Sequence, residues 1–420
     1  MRTPNTSFSG GMRVSDKKTV SRREFLKRSG GAVAYAAAAG PVAALAAETP
    51  RRPNVIFFLM DDMGWMDSTV YGSQFYETPN MERLAKRSMT FTQAYAANPL
   101  CSPTRASIIT GKYPARFGIT TPVCHLPPDP NWTLFPAEAA PNRKVLTPNS
   151  KRFLPLEEYT IAEALRDAGY KTCHVGKWHL GVTQPHWPEQ QGFEVAAHGK
   201  PDPGPPSYFS PYGFKDGTLK DGPPGEYLTD RLTDEALKFI TENRDRPFFL
   251  NFWHHAVHSP WMAKEDYIKR YFGKKDPRGH QGNPIMAAML KSADESLGRL
   301  LDKLDELKLS ENTILIFFSD NGGVDFSAAR EGSKAPPPNS PRAKMLEEYK
   351  RWADDMPLTS NYPLRGGKAT VFEGGTREPM FVVWPGTVQP GSKCTEVVSS
   401  VDFYPTILEM VGLKPKSVQI

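Results

Sequence analysis

Four runs rich in apolar residues stand out along the chain, and each is followed by polar, charged or small residues. Each run is five to seven residues long and shows no regular alternation of polar with apolar positions. Such runs are typical of β-strands that are buried on both faces of a parallel sheet. The predicted strands are residues 55–60, 247–253, 313–318 and 380–384, and a shorter, less apolar strand is predicted at 171–175.

Helical periodicity appears between the strands. The residues Thr160-Ile161-Ala162-Glu163 form a capping box, which predicts a helix that begins there and ends at Gly169. Apolar positions three or four residues apart predict two longer helices, at 229–243 and 285–307. Alternating strands and helices indicate an α/β fold. The length of 420 residues favours one large domain with added segments.

Long segments rich in Pro, Gly and polar residues separate some of these elements. They are residues 118–155, 183–225 and 324–363, the last with a short helix at 344–354. Long loops in a compact domain often border a functional site. The middle segment, which also contains aromatic residues, is therefore interpreted either as the wall of a binding site or as an ordinary structural loop.

Basic residues are concentrated at one end of the chain. The formal net charge is +6, from 52 Lys and Arg against 46 Asp and Glu. Residues 1–46 contain eight of the basic and two of the acidic residues, so the remaining chain is neutral. Because a neutral chain has no general attraction for nucleic acid or an anionic membrane, we expect neither as a partner.

The first 46 residues have the form of a twin-arginine export signal. Residues 21–27 read SRREFLK, and a weakly apolar run at 29–44 leads to small residues around Ala46 that suit cleavage. A membrane anchor is the alternative. No stable span is expected, however, because the run is short and Gly40-Pro41 interrupts it. We expect export through the twin-arginine translocase to the bacterial periplasm or the medium.

Two of the predicted strands end in side chains that carry oxygen ligands. Asp61 and Asp62 follow the first strand, and Asp320 and Asn321 closely follow the strand at 313–318. Open α/β sheets bind ligands at the carboxyl ends of their strands. A single Asp-Asp pair is more often a solvated turn, but two such strand ends together predict a site for a hard cation.

Residues 100–111, LCSPTRASIITG, predict a helix with a cysteine at its start. Ser102 suits the N-cap and Pro103 the first helical position. Cys101 would then lie at the positive end of the helix dipole, where anions bind, and Arg105 would face the same place from one turn along. The alternative for Cys101 alone is a buried structural cysteine.

The order Cys101-x-Pro103-x-Arg105, followed by Ala-Ser-Ile-Ile-Thr-Gly, resembles the signature of the type I, formylglycine-dependent sulfatases of the alkaline phosphatase superfamily. The resemblance covers residues 54–412. Further family elements are matched, although Val257 stands where the family commonly has proline. The matching elements are Gly-Lys-Trp-His at 176–179, His-Ser-Pro at 258–260, Arg-Gly-Gly-Lys at 365–368 and Glu-Gly-Gly-Thr-Arg-Glu-Pro at 373–379.

This resemblance implies an architecture. Members of the family have a large, mostly parallel but mixed central sheet with helices on both faces. Residues 47–420 are then expected to form a sulfatase catalytic domain. Relatives continue into a small antiparallel C-terminal subdomain, which we expect this chain to lack, as a fragment or a shortened variant would.

The resemblance also implies hydrolysis of sulfate esters, with a sulfated carbohydrate or an aryl sulfate as the substrate. A formylglycine-generating enzyme would convert Cys101 to formylglycine, and one oxygen of its hydrate would attack sulfur. One Ca2+ ion would be bound. Its implied ligands are Asp61, Asp62, Asp320, Asn321 and the modified Cys101.

The remaining implied site residues handle charge and protons. Arg105, Lys177 and Lys368 would neutralise the sulfate. His258, together with Lys368, would protonate the leaving oxygen. His179 would accept the proton of the remaining hydroxyl, so that the aldehyde forms again and sulfate departs.

Three alternatives stay open from the sequence. Related folds with the same cysteine motif act as phosphodiesterases or phosphonate monoester hydrolases. An exported glycan-binding protein would need no catalysis, and the histidine cluster at 254–258 suggests a zinc hydrolase. Besides Cys101, the residues Cys124, Cys173 and Cys394 allow at most one disulfide among them.

Overall fold

The structure, a computed structural model, describes residues 51–199, 203–330 and 335–415. The predicted export signal at 1–46 lies outside these residues. Within them the chain forms a nine-stranded sheet with helices on both faces, which confirms the predicted mixed α/β fold.

The sheet is parallel in its centre and mixed at one side. Its strands are β1 (Asn54–Met60), β2 (Met89–Tyr95), β3 (Lys171–Gly176), β4 (Val195–Ala197), β5 (Phe248–Trp253), β6 (Thr313–Ser319), β7 (Arg377–Val383), β8 (Lys393–Cys394) and β9 (Val398–Ser399). The order across the sheet is β4-β3-β5-β1-β6-β7-β2-β8, and β9 also pairs with β2. The five neighbouring strands β4, β3, β5, β1 and β6 run parallel to one another. Strand β7 is antiparallel to both of its neighbours, β6 and β2.

Helices connect and cover these strands. In the part of the chain that the structure describes they are α1 (Pro79–Arg87), α2 (Cys101–Thr110), α3 (Pro114–Phe117), α4 (Ile161–Asp167), α5 (Leu228–Glu242), α6 (Glu265–Tyr271), α7 (Pro284–Glu306), α8 (Pro341–Ala353), α9 (Glu373–Thr376) and α10 (Phe403–Met410). The predicted capping box is confirmed, since the Thr160 hydroxyl accepts from the Glu163 N–H and the Glu163 carboxylate accepts from the Thr160 N–H.

Both faces of β1 are covered, which explains its continuous apolar run. Ile56 and Phe58 belong to one hydrophobic core, which also contains residues of α5 and α7. Val55 and Phe57 belong to a second core, shared with residues of α2 and α10. All seven residues of β1 are buried. The helix α2 is therefore packed directly against the central strands.

The register of the central strands aligns their carboxyl ends. Met60 of β1 pairs with Ser319 of β6, and Leu59 pairs with Trp253 of β5. Trp253 in turn pairs with Gly176 of β3. The residues that follow these four strands therefore lie side by side at one edge of the sheet.

Three long loops occur where the sequence predicts them. Residues 118–160 contain neither helix nor strand. In the described part of residues 183–225 the regular structure is β4, two short 3-10 turns and isolated bridges at Gly199, Phe209 and Gly217. The polar segment 324–363 contains α8 at the place of the predicted short helix.

Substitution of Gly176 tests the alignment of β3 with β5. Gly176 has φ of +105°, and a Cβ atom there would lie 1.9 Å from the Trp253 carbonyl oxygen. We expect Gly176→Ala to lower the free energy of unfolding by at least about 3 kcal/mol, because strain and a backbone overlap act together. Urea unfolding followed by tryptophan fluorescence measures this.

Gly169→Ala is the matched control. Gly169 also has a positive φ, +89°, but open space surrounds the position of its Cβ atom. It should lose only about 1 kcal/mol. Equal losses in the two variants would contradict the close approach of the two strand ends.

Candidate active site

The aligned strand ends bring three carboxylates together. Asp61 and Asp62 follow β1, and Asp320 follows β6; all three side chains are buried. The Asp62 N–H donates to Asp320 Oδ1 at 3.2 Å, which joins the two strand ends directly. The predicted meeting of these acids is therefore present. Buried carboxylates cost free energy unless charges or hydrogen bonds compensate them.

Cys101 is the first residue of α2, beside these acids. Its Sγ atom lies 3.7 Å from Asp61 Oδ1, and its side chain is 2% exposed. The predicted N-cap at Ser102 is wrong, because the extended residue Leu100 precedes the helix and its carbonyl accepts from the Thr104 N–H. Cys101 thus lies at the positive end of the helix.

Arg105 projects from α2 into the same cluster. Its Nε donates to Asp320 Oδ2 at 2.9 Å, and its Nη1 donates to the Lys177 carbonyl at 2.9 Å. The guanidinium also lies over the Trp253 ring, 5.2 Å from the ring centre. Arg105 is completely buried, so the three contacts together fix its position.

Two lysines complete the set of charges. Lys177, the residue after β3, donates to Asp61 Oδ2 at 2.6 Å. Lys368, from the Arg-Gly-Gly-Lys segment, donates to Asp62 Oδ2 at 2.6 Å. Three buried carboxylates are thus balanced by three basic side chains, including Arg105.

The two adjacent aspartates differ in their electrostatics. Burial, and then the nearby Asp320 carboxylate, raises the pKa of Asp61 well above its ordinary value. Burial acts in the same direction on Asp62, but Lys368 and His258 hold the pKa of Asp62 below its ordinary value. Burial raises the pKa of the Cys101 thiol to about 12. The thiol is therefore protonated at neutral pH.

Two histidines border the cluster. His258 Nε2 lies 3.7 Å from Asp62 Oδ2, while His258 Nδ1 lies 2.8 Å from the Ser259 carbonyl oxygen. His179 is completely buried and has φ of +56°, a left-handed conformation that is uncommon for residues other than glycine. Burial, with Lys177 next, lowers the pKa of His179 well below its ordinary value.

The histidine cluster at 254–258 does not gather around one ion. His254 is buried and lies 3.0 Å from the Ser296 hydroxyl, and His255 is buried near the Phe214 ring. Among the described residues, one group of at least three His, Cys, Asp or Glu has donor atoms within 4.8 Å of one another. That group consists of Asp61, Asp62, Cys101 and His258.

The donor set fits a hard divalent cation. Carboxylate and amide oxygens are the ligands that Ca2+ and Mg2+ prefer. Asn321 Nδ2 donates to Asp62 Oδ1 at 2.7 Å, whereas its Oδ1 atom is buried without a hydrogen-bond donor. A buried acceptor without a donor is uncommon and suits a cation ligand. Asp320 lies outside the compact group but contacts it through Asp62.

Some contacts of the site were not predicted from the sequence. The Tyr208 hydroxyl lies 2.6 and 2.9 Å from the carbonyl oxygens of His255 and His258, and so anchors the His258 loop. His125, in the loop at 118–160, contacts His179. Neither residue belongs to a periodic segment or a motif, so the sequence contained no signal for these contacts.

Comparison with known proteins identifies the family. Residues 53–413 match the sequence profile of the Sulfatase family. The chain belongs to the sulfatase family. The resemblance inferred from the motifs is thereby confirmed, and the structural neighbours place the chain in the alkaline phosphatase superfamily.

Two sulfatase relatives show the extent of the similarity. N-acetylgalactosamine-6-sulfatase of Rattus norvegicus is 34% identical over 398 residues, which cover 89% of this chain and 64% of that protein. Arylsulfatase A of Homo sapiens is 31% identical over 387 residues, which cover 86% of this chain and 64% of that protein. The chain thus spans slightly less than two thirds of the length of these sulfatases.

Solved structures share the fold of this sulfatase-family chain. The crystal structure of Ps i-CgsB in complex with k-i-k-neocarrahexaose aligns with a TM-score of 0.68 at 27% identity, covering 88% of this chain and 74% of that chain. PsFucS1 sulfatase from Pseudoalteromonas sp. aligns with a TM-score of 0.61 at 26% identity, covering 86% and 68%.

All four cysteines of this sulfatase-family chain are buried and free, so the structure forms no disulfide among them.

Among the described helices, none combines the length and the apolar character that crossing a bilayer requires.

Replacing Arg105 tests the charge balance of the site. Arg105→Met removes the partner of the buried Asp320 carboxylate and leaves it uncompensated. We expect a loss of about 3–5 kcal/mol in the free energy of unfolding. Arg83→Met is the control, because Arg83 forms surface ion pairs with Asp302 and Asp305 and should lose no more than about 1 kcal/mol. Chemical unfolding of both variants measures the difference, and a loss in Arg105→Met no larger than the control's would contradict the account.

Proposed function

We propose that this chain hydrolyses sulfate esters, with Cys101 converted to formylglycine and with one bound Ca2+. One observation carries the proposal. Cys101 begins a buried helix beside Asp61, at the place where Arg105, Lys177 and Lys368 converge. The substrate of the proposed reaction is an anionic sulfate ester, and the product is the sulfate dianion. Binding such anions needs several fixed positive charges, and this cluster supplies three.

The proposed groups would be held by residues already in place. The cation ligands are Asp61, Asp62, Asp320, Asn321 and the modified residue 101. When bound, Ca2+ and formylglycine supply charge stabilisation at the sulfuryl oxygens and a hydroxyl nucleophile. Ca2+ is favoured over softer metals because the protein ligands are oxygen atoms.

A cation bound to the carboxylates would change which anionic groups the basic side chains neutralise. Lys177 and Lys368 pair with Asp61 and Asp62. Once a divalent ion neutralises those carboxylates, the positive charges of both lysines are available to an anionic substrate. Arg105 keeps its contacts with Asp320 and the Lys177 carbonyl and adds a third charge from α2.

Two histidines move protons in the proposed reaction. His258, next to Asp62 and together with Lys368, donates a proton to the departing alcohol oxygen. Burial, and then Lys368 and Lys177, lower the pKa of His258. The negative charge of a bound sulfate ester acts in the opposite direction and favours the protonated ring. His179 accepts the proton of the remaining hydroxyl, for which its neutral ring is suited.

The substrate is proposed to be a sulfated carbohydrate or an aryl sulfate. Support comes from the relatives, which include N-acetylgalactosamine-6-sulfatase and arylsulfatase A, and from Ps i-CgsB, whose crystal structure contains a neocarrahexaose. The loop at 183–225 borders the site through Tyr208, which fits its interpretation as a wall of the substrate site.

We propose that modification of Cys101 comes first, then completion of folding, and then export by the twin-arginine translocase. Residues 1–46 would direct the chain to the periplasm or the medium, and residues 47–420 would be the catalytic domain. This route carries folded proteins. Because Cys101 is 2% exposed in the folded chain, a formylglycine-generating enzyme would act on it before the fold closes.

The activity is tested with matched chromogenic esters. We expect 4-nitrophenyl sulfate to be hydrolysed with a higher kcat/KM than bis(4-nitrophenyl) phosphate. Cys101→Ala should reduce turnover by at least about 10^3-fold, because it removes the nucleophile. Cys394→Ala, which changes a buried cysteine of the distant strand β8, should keep the wild-type rate.

The mass of the tryptic peptide that contains residue 101 belongs to the same experiment. Formylglycine in active protein is the expected result. A preference for the phosphate diester would instead favour the phosphodiesterase alternative. Full activity in Cys101→Ala, or an unmodified thiol in all of the active protein, would contradict the proposal.

A further inference from the structure

His125 contacts the candidate proton acceptor from an unexpected place. It lies in the long irregular loop between α3 and α4, and its side chain is partly buried. Its Nδ1 atom is 3.3 Å from His179 Nε2, and the two ring centres are 5.6 Å apart at an interplanar angle of 39°. The two imidazoles therefore meet through one nitrogen each.

A hydrogen bond between two ring nitrogens restricts the position of protons. Burial lowers the pKa of His179, so its ring is neutral and carries one N–H. At the contact with His125, one nitrogen donates and the other accepts. The tautomer of His179 is thus coupled to that of His125, and the coupling also decides whether the opposite nitrogen, Nδ1, carries a proton.

Because Nε2 of His179 contacts His125, Nδ1 is the ring nitrogen that would accept a proton in the proposed reaction. His179 Nδ1 is buried and has no hydrogen-bond partner in the described structure. A histidine ring has a broad, roughly two-fold preference about χ2, so a flip that exchanges the two ring edges costs little by itself. The contact of Nε2 with His125 is the interaction that favours one orientation over the other.

The backbone conformation of His179 fixes the position of its Cβ atom. His179 has φ of +56°, and residues held in the left-handed region cluster at functional sites. Backbone strain places the Cβ atom but does not choose between the two ring orientations. A hydrogen bond to one of the two ring nitrogens makes that choice, and the contact with His125 is such a bond.

We propose that His125 is a positioning residue of the active site, which holds the His179 imidazole in one orientation and one tautomer. The expected effect of His125 on the reaction rate rests on the proposed sulfatase reaction. Its expected effect on the orientation and tautomer of the His179 ring does not depend on turnover. His125 acts through His179, so it should influence kcat more than KM.

Two variants and one control test this assignment. His125→Ala removes the ring, whereas His125→Asn keeps a hydrogen-bonding group near the position of Nδ1. The control is His280→Ala, since His280 is exposed and its ring stacks on Tyr362. The first readout is the 15N NMR shift of the His179 ring nitrogens in labelled full-length protein, assigned with a His179→Gln variant.

We expect His179 to show one neutral tautomer in the wild type, in His125→Asn and in His280→Ala, and a mixture of tautomers in His125→Ala. With 4-nitrophenyl sulfate, His125→Ala should lower kcat about tenfold with KM changed less than about twofold, and His125→Asn should recover most of that loss.

Unchanged His179 ring shifts in both His125 variants would overturn the assignment, whatever the activity. Absence of sulfate ester hydrolysis in the wild type would instead count against the proposed function, while the NMR result would still decide the role of His125. If His125→Ala does not fold, His125→Leu, which also removes the hydrogen-bonding group, takes its place: a mixture of His179 tautomers supports the assignment, and one retained tautomer overturns it.

Discussion

The balance of three buried carboxylates against three buried or nearly buried basic side chains is the constraint on which the site depends. Removing each charge from water costs several kcal/mol unless a partner replaces the lost hydration. Here Asp61 is paired with Lys177, Asp62 with Lys368 and Asp320 with Arg105. Such a cluster contributes little to stability as a whole, but any single unpaired member is costly. It therefore fixes the relative positions of the elements that carry its members.

The sheet register and the two cores bring these charges to one place. Four parallel strands end together, and α2 packs on the central strands so that its first turn faces the same edge. Local backbone strain is also present there. Asp62, His179 and Ala369, the residue after Lys368, all have positive φ. The surrounding fold stabilises conformations that these residues would rarely adopt alone.

The sequence was sufficient for the parts of the structure that have a period or a motif. The buried strands β1, β5, β6 and β7, the capping box at Thr160 and the meeting of Asp61 with Asp320 follow from apolar runs, from capping residues and from the rule that ligands bind at strand ends. The place of Lys177 followed only from the family resemblance. The start of α2 was misplaced by the capping propensity of Ser102, since the helix begins at Cys101, after the extended residue Leu100, and has no side-chain cap. The His125 contact was not predictable, since loop segments without a period carry no information about which distant residue they meet.

The central claim is that these strand ends form a divalent cation site beside Cys101, and calcium titration by calorimetry tests it most directly. The matched variants are Asp62→Asn, in the cluster, and Asp302→Asn, at an exposed surface ion pair. The account predicts one Ca2+ per chain in the wild type and in Asp302→Asn, with affinity at least about tenfold weaker in Asp62→Asn. Equal binding in all three proteins, or no binding in the wild type, would contradict it.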